Sequence, residues 1–175
     1  MKVAVFGSAQ APENSPLYQE SYLLGQLLGQ QGHTVLTGGY TGTMEAVSRG
    51  AAEAGAHVIG VTCEELERFR STPANPWVQE EWKYPTLHER LNALIEGGED
   101  AAIALPGGAG TLAEILMLWN RMITGALPLR PLIIIGKDWQ AVFETLFTAQ
   151  AEYISTGTTD LLQFVQDAPQ AVARL

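Results

Sequence analysis

Apolar residues recur along this chain in two alternating rhythms. Short runs at residues 3–6, 34–37, 57–62, 101–105 and 132–135 each give way to longer stretches with a helical period. The first run closes on Gly7-Ser8-Ala9 and a loop rich in Pro, Asn and Ser, ahead of an amphipathic stretch from about Leu17 to Gln31. The second breaks at Gly38-Gly39 before a helical pattern through Met44, Val47 and Ala51. Residues 63–83 are polar, contain Arg68, Arg70, Pro73, Pro76, Trp77 and Trp82, and read as one long connection, a candidate lid. Thr86 with Glu89 three positions on forms a capping box, and Leu87, Leu91, Leu94 and Ile95 mark the apolar stripe of the next helix, leaving Arg90 off it. After 101–105 comes Pro106-Gly107-Gly108-Ala109-Gly110-Thr111, then a helix through Leu112, Ile115, Leu116, Trp119 and Met122. A helix over about 139–152, a strand over 161–165 and a short helix started by Asp167 and Pro169 complete the pattern. Strands alternating with helices in this way predict a doubly wound, Rossmann-like α/β fold, a mostly parallel sheet with helices on both faces, in a single domain over 1–175.

In such sheets ligands bind beyond the carboxyl ends of the strands. Three Gly-rich turns fall there: Gly7-Ser8, Gly38-Gly39-Tyr40-Thr41-Gly42 and 106–111. The third carries the strongest signal, because glycines let backbone N–H groups turn towards an oxyanion and the following helix adds its positive end. Thr111 can add a hydroxyl. The turn lacks the Gly-Lys-Ser/Thr ending of a triphosphate loop and the Gly-x-Gly-x-x-Gly spacing of a dinucleotide site, so a monophosphate fits it best. Glu114, one turn into that helix, is a carboxylate beside a phosphate cradle, placed to stabilise a developing cation.

The chain carries a formal charge of −9, with a pI near 4.7, which opposes a nucleic-acid backbone as partner. Cys63 is the single cysteine and reads as a structural thiol at a strand end, with no disulfide or multi-cysteine metal site to build. No apolar run nears the roughly 18 residues of a membrane span. The opening residues run straight into a strand, too short for a signal peptide, so a cytoplasmic protein is expected.

Residues 106–114, Pro-Gly-Gly-Ala-Gly-Thr-Leu-Ala-Glu, fit at every defined position the Pro-Gly-Gly-x-Gly-Thr-x-x-Glu signature of the LOG-like proteins, which this chain resembles over about residues 3–137. Members are often labelled lysine decarboxylases, although nothing here identifies a pyridoxal phosphate site. A second element of the family, Gly-Gly-Gly-x-x-Gly-Leu-Met-Gly, stands here as residues 37–45 with Gly38, Gly39, Gly42 and Met44 kept and Thr37, Thr43 and Glu45 departing. A third, Met-His-x-Arg-Lys, stands as Leu87-His88-Glu89-Arg90-Leu91. These departures resemble a divergent bacterial branch.

The resemblance implies hydrolysis of the N-glycosidic bond of a nucleoside 5′-monophosphate, giving free base and ribose 5-phosphate. It implies Arg90 and Glu114 as the catalytic pair, with Arg90 pairing with the phosphate or holding Glu114 in place. Gly7, Ser8, Gly38, Gly39, Gly42, Thr43, Gly107, Gly108, Gly110 and Thr111 would bind phosphate and nucleotide. It implies no metal and no cofactor, and a homodimer with the helices of Arg90 and Glu114 near the interface. The alternative is a non-catalytic carrier of a nucleotide or a phosphate-bearing cofactor such as molybdenum cofactor. A DNA-processing partner of the DprA type is opposed by the charge. Among the remaining residues, His88 reads as a capping or packing histidine, and Arg49 pairs with Glu45 four positions before it. Trp119 and Met122 read as core or dimer interface, Arg121 as a residue reaching an interface or a neighbouring phosphate, and 116–123 as an exposed apolar helix face.

Overall fold

The computed structural model describes residues 1–70 and 72–175, Arg70 by its backbone alone. Its elements in chain order are β1 (Lys2–Phe6), α1 (Pro16–Gln30), β2 (Thr34–Thr37), α2 (Thr43–Glu53), β3 (Val58–Cys63), α3 (Glu64–Arg70), β4 (Glu80–Tyr84), α4 (Leu87–Gly97), β5 (Ala101–Ala104), α5 (Ala109–Ile123), β6 (Leu132–Ile135), α6 (Lys137–Ala149), α7 (Thr156–Thr159), β7 (Leu162–Val165) and α8 (Ala168–Val172). Among the described residues the strands form one parallel seven-stranded sheet in the order β4-β3-β2-β1-β5-β6-β7. The doubly wound α/β expectation therefore holds.

Alternation along the strands divides the core between two faces. Val3, Val5, Val35, Val58, Ile103 and Ile133 pack with Leu24 and Leu28 of α1, Val47 and Ala51 of α2, and α8. Ala4, Phe6, Leu36, Ile59, Val61 and Ile134 pack instead with Leu94 and Ile95 of α4, Ile115 and Leu118 of α5, and Trp139 and Phe143 of α6. Trp119 and Met122 belong to this second core, so the face at 116–123 is largely buried, with Ile123 alone of its large apolar residues exposed. Trp119 also donates its indole N–H to Thr158 O at 2.7 Å. Among the described residues no helix is long and apolar enough to cross a membrane.

The stretch read as a connection holds two elements that the sequence reading passed over, α3 and the edge strand β4. Ser71, inside that stretch, lies outside the described residues. A lid role for its tryptophans does not fit their surroundings. Trp82 packs against Gly97 and donates to Glu80 at 2.6 Å, while Trp77 lies against the Arg49 guanidinium, 5.5 Å from ring centre to Cζ. Asn75 pins the loop that leads into β4, its backbone N–H and side-chain amide both donating to Gly39 O.

Helices α1 and α2 meet backbone to backbone through glycines. A Cβ on Gly25 would overlap Val47 O and lie 2.9 Å from Ala51 N; one on Gly50 would overlap Tyr22 O and lie 2.9 Å from Gln26 N. Neither clash can be relieved by turning a side chain. Gly25→Ala is therefore expected to lower stability by about 2 kcal/mol in urea unfolding, overpacking outweighing the roughly 1 kcal/mol that alanine gains as a helix former. Equal or greater stability would mean that the helices separate freely.

Candidate active site

The chain passes from β1 to β2, β3 and β4 on one side, then returns to add β5 on the other side of β1. The sheet thus reverses its winding between β1 and β5, where loops leave towards opposite faces and open a crevice. Gly7-Ser8 follows β1 and Pro106–Thr111 follows β5, with Leu105 N donating to Phe6 O at 2.9 Å. The turn after β2 lies one strand further along the same edge.

Gly107, Gly108, Ala109 and Gly110 are exposed, and Gly108 caps α5 without any side-chain hydrogen bond. The first intrahelical bond runs from Leu112 N to Gly108 O at 3.0 Å, so the amides of Ala109, Gly110 and Thr111 have no partner within the helix. Thr111 is only 2% exposed, and its hydroxyl is a buried polar atom without a hydrogen-bond partner among the described residues. Its oxygen lies where a Cβ on Gly107 would fall, so glycine is required beside it. Free amides, a helix N-terminus and an orphaned hydroxyl suit an oxyanion.

Glu114 lies one turn further along α5, 6% exposed. Arg90, in the first turn of α4, is equally buried, which corrects the reading that set it off the apolar stripe. Leu87, counted in that stripe, is exposed instead. The reason is that the start of α4 overhangs the strand ends. Arg90 runs across them, donating from Nε to Val61 O at 2.8 Å and from Nη2 to Gly38 O at 3.1 Å. Its Nη1 stands 3.8 Å from Glu114 Oε1, an ion pair beyond hydrogen-bonding reach. Burial pushes the Glu114 carboxyl up to about 7, against the opposing pull of Arg90. A carboxylate so placed is poised to exchange a proton near neutral pH.

The glycines of the second turn serve this pair from behind. A Cβ on Gly38 would overlap Arg90 Nη2 and lie 2.5 Å from Met44 Sδ, and Gly39 packs against Gly60 and Thr62. Gly42, at φ +71°, has a backbone that only glycine adopts without strain. Thr43 is fully buried with its hydroxyl taken up by the backbone of Ser8, accepting from Ser8 N at 2.9 Å, so it ties the first turn to the second. Ser8 and Gly7 remain partly exposed at the crevice.

Two residues that the sequence reading missed complete the support. Tyr40 turns its ring towards the Arg90 guanidinium, 5.6 Å from its centre, while its hydroxyl accepts from Cys63 N at 2.9 Å and donates to Cys63 O at 3.1 Å. Asn75 also donates to Tyr40 O at 3.0 Å. An aromatic residue amid the Gly-rich turn was a signal for Tyr40; nothing local marks Asn75. Cys63 is buried at the end of β3, as expected of a structural thiol. His88 is exposed and bonds Asn92 at 3.0 Å, and Arg121 pairs with Glu96 at 2.6 Å. Arg49 pairs with Glu13 at 3.0 Å and Glu53 at 3.1 Å, not with Glu45, because the β1–α1 loop brings Glu13 alongside α2.

Residues 44–175 match the family model described as "Possible lysine decarboxylase". The cytokinin riboside 5′-monophosphate phosphoribohydrolase of Mycobacterium marinum is 31% identical over 158 residues, covering 89% of this chain and 80% of that protein. The pyrimidine/purine nucleotide 5′-monophosphate nucleosidase of Escherichia coli is 32% identical over 143 residues, 77% of this chain but only 30% of that longer protein. The molybdenum cofactor binding protein of Rippkaea orientalis shares the fold at a TM-score of 0.75, with 22% identity over 98% of this chain and 93% of that one. Signature, family model and relatives agree: the chain belongs to the LOG family, whose model bears the lysine decarboxylase description.

Proposed function

We propose that the protein hydrolyses the N-glycosidic bond of nucleoside 5′-monophosphates. The observation that carries this reading is the pairing of a buried carboxyl near neutrality, Glu114, with the α5 amides and the Thr111 hydroxyl one turn before it, which have no partner among the described residues. The 5′-phosphate sits on Gly107, Gly108, Gly110 and Thr111, and the ribose lies over Glu114. Water adds to C1′ as the C1′–N bond breaks. One of its protons ends on the departing base and the other stays on the new anomeric hydroxyl. Ionised Glu114 orients and deprotonates that water and faces the oxocarbenium-like ribose. Arg90, its donors committed to Val61 O and Gly38 O, acts by holding Glu114 in place and favouring its charged form.

Names of relatives support the same reading, since two of them act on nucleoside 5′-monophosphates by name. The reading includes a homodimer through α4 and α5, where Leu87 and Ile123 are exposed, and a cytoplasmic enzyme with no nucleic-acid partner. Incubating purified protein with a panel of nucleoside monophosphates and separating the products should yield free base and ribose 5-phosphate, and light scattering should give twice the mass of 18.9 kDa. Binding without turnover of any member would replace hydrolysis by the carrier reading; a monomer that turns substrate over would remove the dimer alone.

A further inference from the structure

Arg90 and Glu114 stop short of each other. Both are buried and opposite in charge, yet Nη1 stands 3.8 Å from Oε1, about one ångström beyond a charge-assisted hydrogen bond. Nη1 makes no hydrogen bond among the described residues, whereas Nε and Nη2 are committed to Val61 O and Gly38 O. Neutral carbonyls are weaker partners for a guanidinium than a carboxylate is, so an open pair needs a further restraint. Tyr40 supplies it. It lies two residues after Gly38, and its hydroxyl accepts from the N–H and donates to the C=O of Cys63, two residues after Val61 on β3. One side chain thus ties together the two segments that hold Arg90. Its ring is fixed at one end by Cys63 and at the other by Asn75, which donates to Tyr40 O. Held so, it meets the guanidinium at 5.6 Å from ring centre to Cζ, within the range of about 6 Å over which an aromatic face attracts a cation.

We propose that Tyr40 is a positioning residue: its ring holds the Arg90 guanidinium back from Glu114, keeping the ion pair open so that the carboxylate remains available to take a proton from water. A closed pair would occupy the lone pairs that the reaction uses and make the carboxylate a weaker base. Arg90 is the charged group facing Glu114, and the titratable groups around Tyr40 are Arg90 of α4, Cys63 of β3 and Glu67 of α3. Burial pushes the Tyr40 hydroxyl above its ordinary range, so it stays protonated through neutral pH.

This role rests on the nucleotide reading above, and the test separates the two. In Tyr40→Leu the guanidinium should close on Glu114. At an effective dielectric constant of about 20, one ångström of closure lowers the carboxyl by about one pH unit. Loss of Arg90 itself acts in the opposite direction, because it leaves burial unopposed. An NMR titration of the Glu114 carboxyl carbon, recognised by its absence from Glu114→Gln, reads the shift in folded protein without nucleotide. Wild type should titrate at about 7 and Tyr40→Leu about one unit lower, with the acid limb of kcat/KM following. Tyr40→Met, which refills the space with a flexible chain, gives the same comparison where leucine leaves the chain unfolded. Tyr40→Phe keeps the ring and should titrate with wild type, although it unfolds at lower urea because Cys63 N–H and C=O lose their partner. A purely structural Tyr40 would lower stability in every variant and move no titration. That result, a higher titration in Tyr40→Leu, or a shift as large in Tyr40→Phe, would overturn the inference and leave hydrolysis standing where nucleotide is still turned over. A downward shift confined to Tyr40→Leu and Tyr40→Met, in a protein that hydrolyses no nucleotide, would uphold the restraint on Arg90 and overturn hydrolysis.

Discussion

Replacing Glu114 by glutamine is expected to lower kcat/KM for the preferred nucleotide by a hundredfold or more, the usual contribution of a positioned acid–base group. The same substitution should stabilise the protein at alkaline pH. The Glu114 carboxyl stands at about 7 in the folded protein against an ordinary value of 4.5, so the folded state binds more protons than the unfolded state between those limits. Stability from this group is therefore fully present below pH 4.5 and is lost as pH rises towards 7 and beyond. The loss amounts to about 3 kcal/mol at pH 8. Glutamine resembles the protonated form and carries no such slope. Urea unfolding of wild type and Glu114→Gln at pH 5 and pH 8 should give a difference that grows with pH in favour of the variant. A variant that is less stable at pH 8, or that retains wild-type turnover, would show that Glu114 serves the fold and not the reaction. Gaining stability on losing activity is the expected behaviour of a charge held in the core for its chemistry.

The fold was legible because its signals are local: β1, β2, β5 and β6 are short apolar runs, and Gly-rich turns follow three of the four. Strand β4 was missed although it carries a signal, Trp82 and Tyr84 alternating with Glu81 and Lys83; its charged outward residues suit an edge strand and disguised it as loop. Arg90 was misjudged for a different reason. Helical periodicity tells which residues face the sheet, but the first turn of α4 reaches past the strand ends, where burial depends on the neighbouring turns. The carbonyls that hold Arg90 come from residues 61 and 38, and Asn75 is placed by carbonyls 36 and 35 residues away, so no local pattern could announce either. Thr43 shows the converse. Its place in a Gly-rich motif suggested ligand binding, whereas its hydroxyl joins two loops.

Arg90→Gln should separate the two members of the pair. Because Arg90 draws the Glu114 carboxyl down while burial draws it up, removing the guanidinium leaves burial unopposed and moves the carboxyl above 7. If the ionised carboxylate is the active form, kcat/KM for wild type rises with pH through about 7, and in Arg90→Gln that rise moves to higher pH. The substrate's own phosphate also titrates, near about 6, but the substitution leaves free substrate untouched, so only the limb belonging to Glu114 should move. At neutral pH the variant should lose most of its activity and recover part of it on the alkaline side, whereas Glu114→Gln should recover nothing at any pH. The fold is expected to weaken too, by about 3 kcal/mol, since Val61 O and Gly38 O lose their donor and a buried pair is broken. An unshifted acid limb in a folded Arg90→Gln protein would mean that Arg90 does not govern the charge on Glu114, and would return the guanidinium to the alternative of binding the phosphate directly. That alternative predicts a raised KM at unchanged kcat, so the same pair of profiles decides between a residue that holds the base and one that holds the substrate.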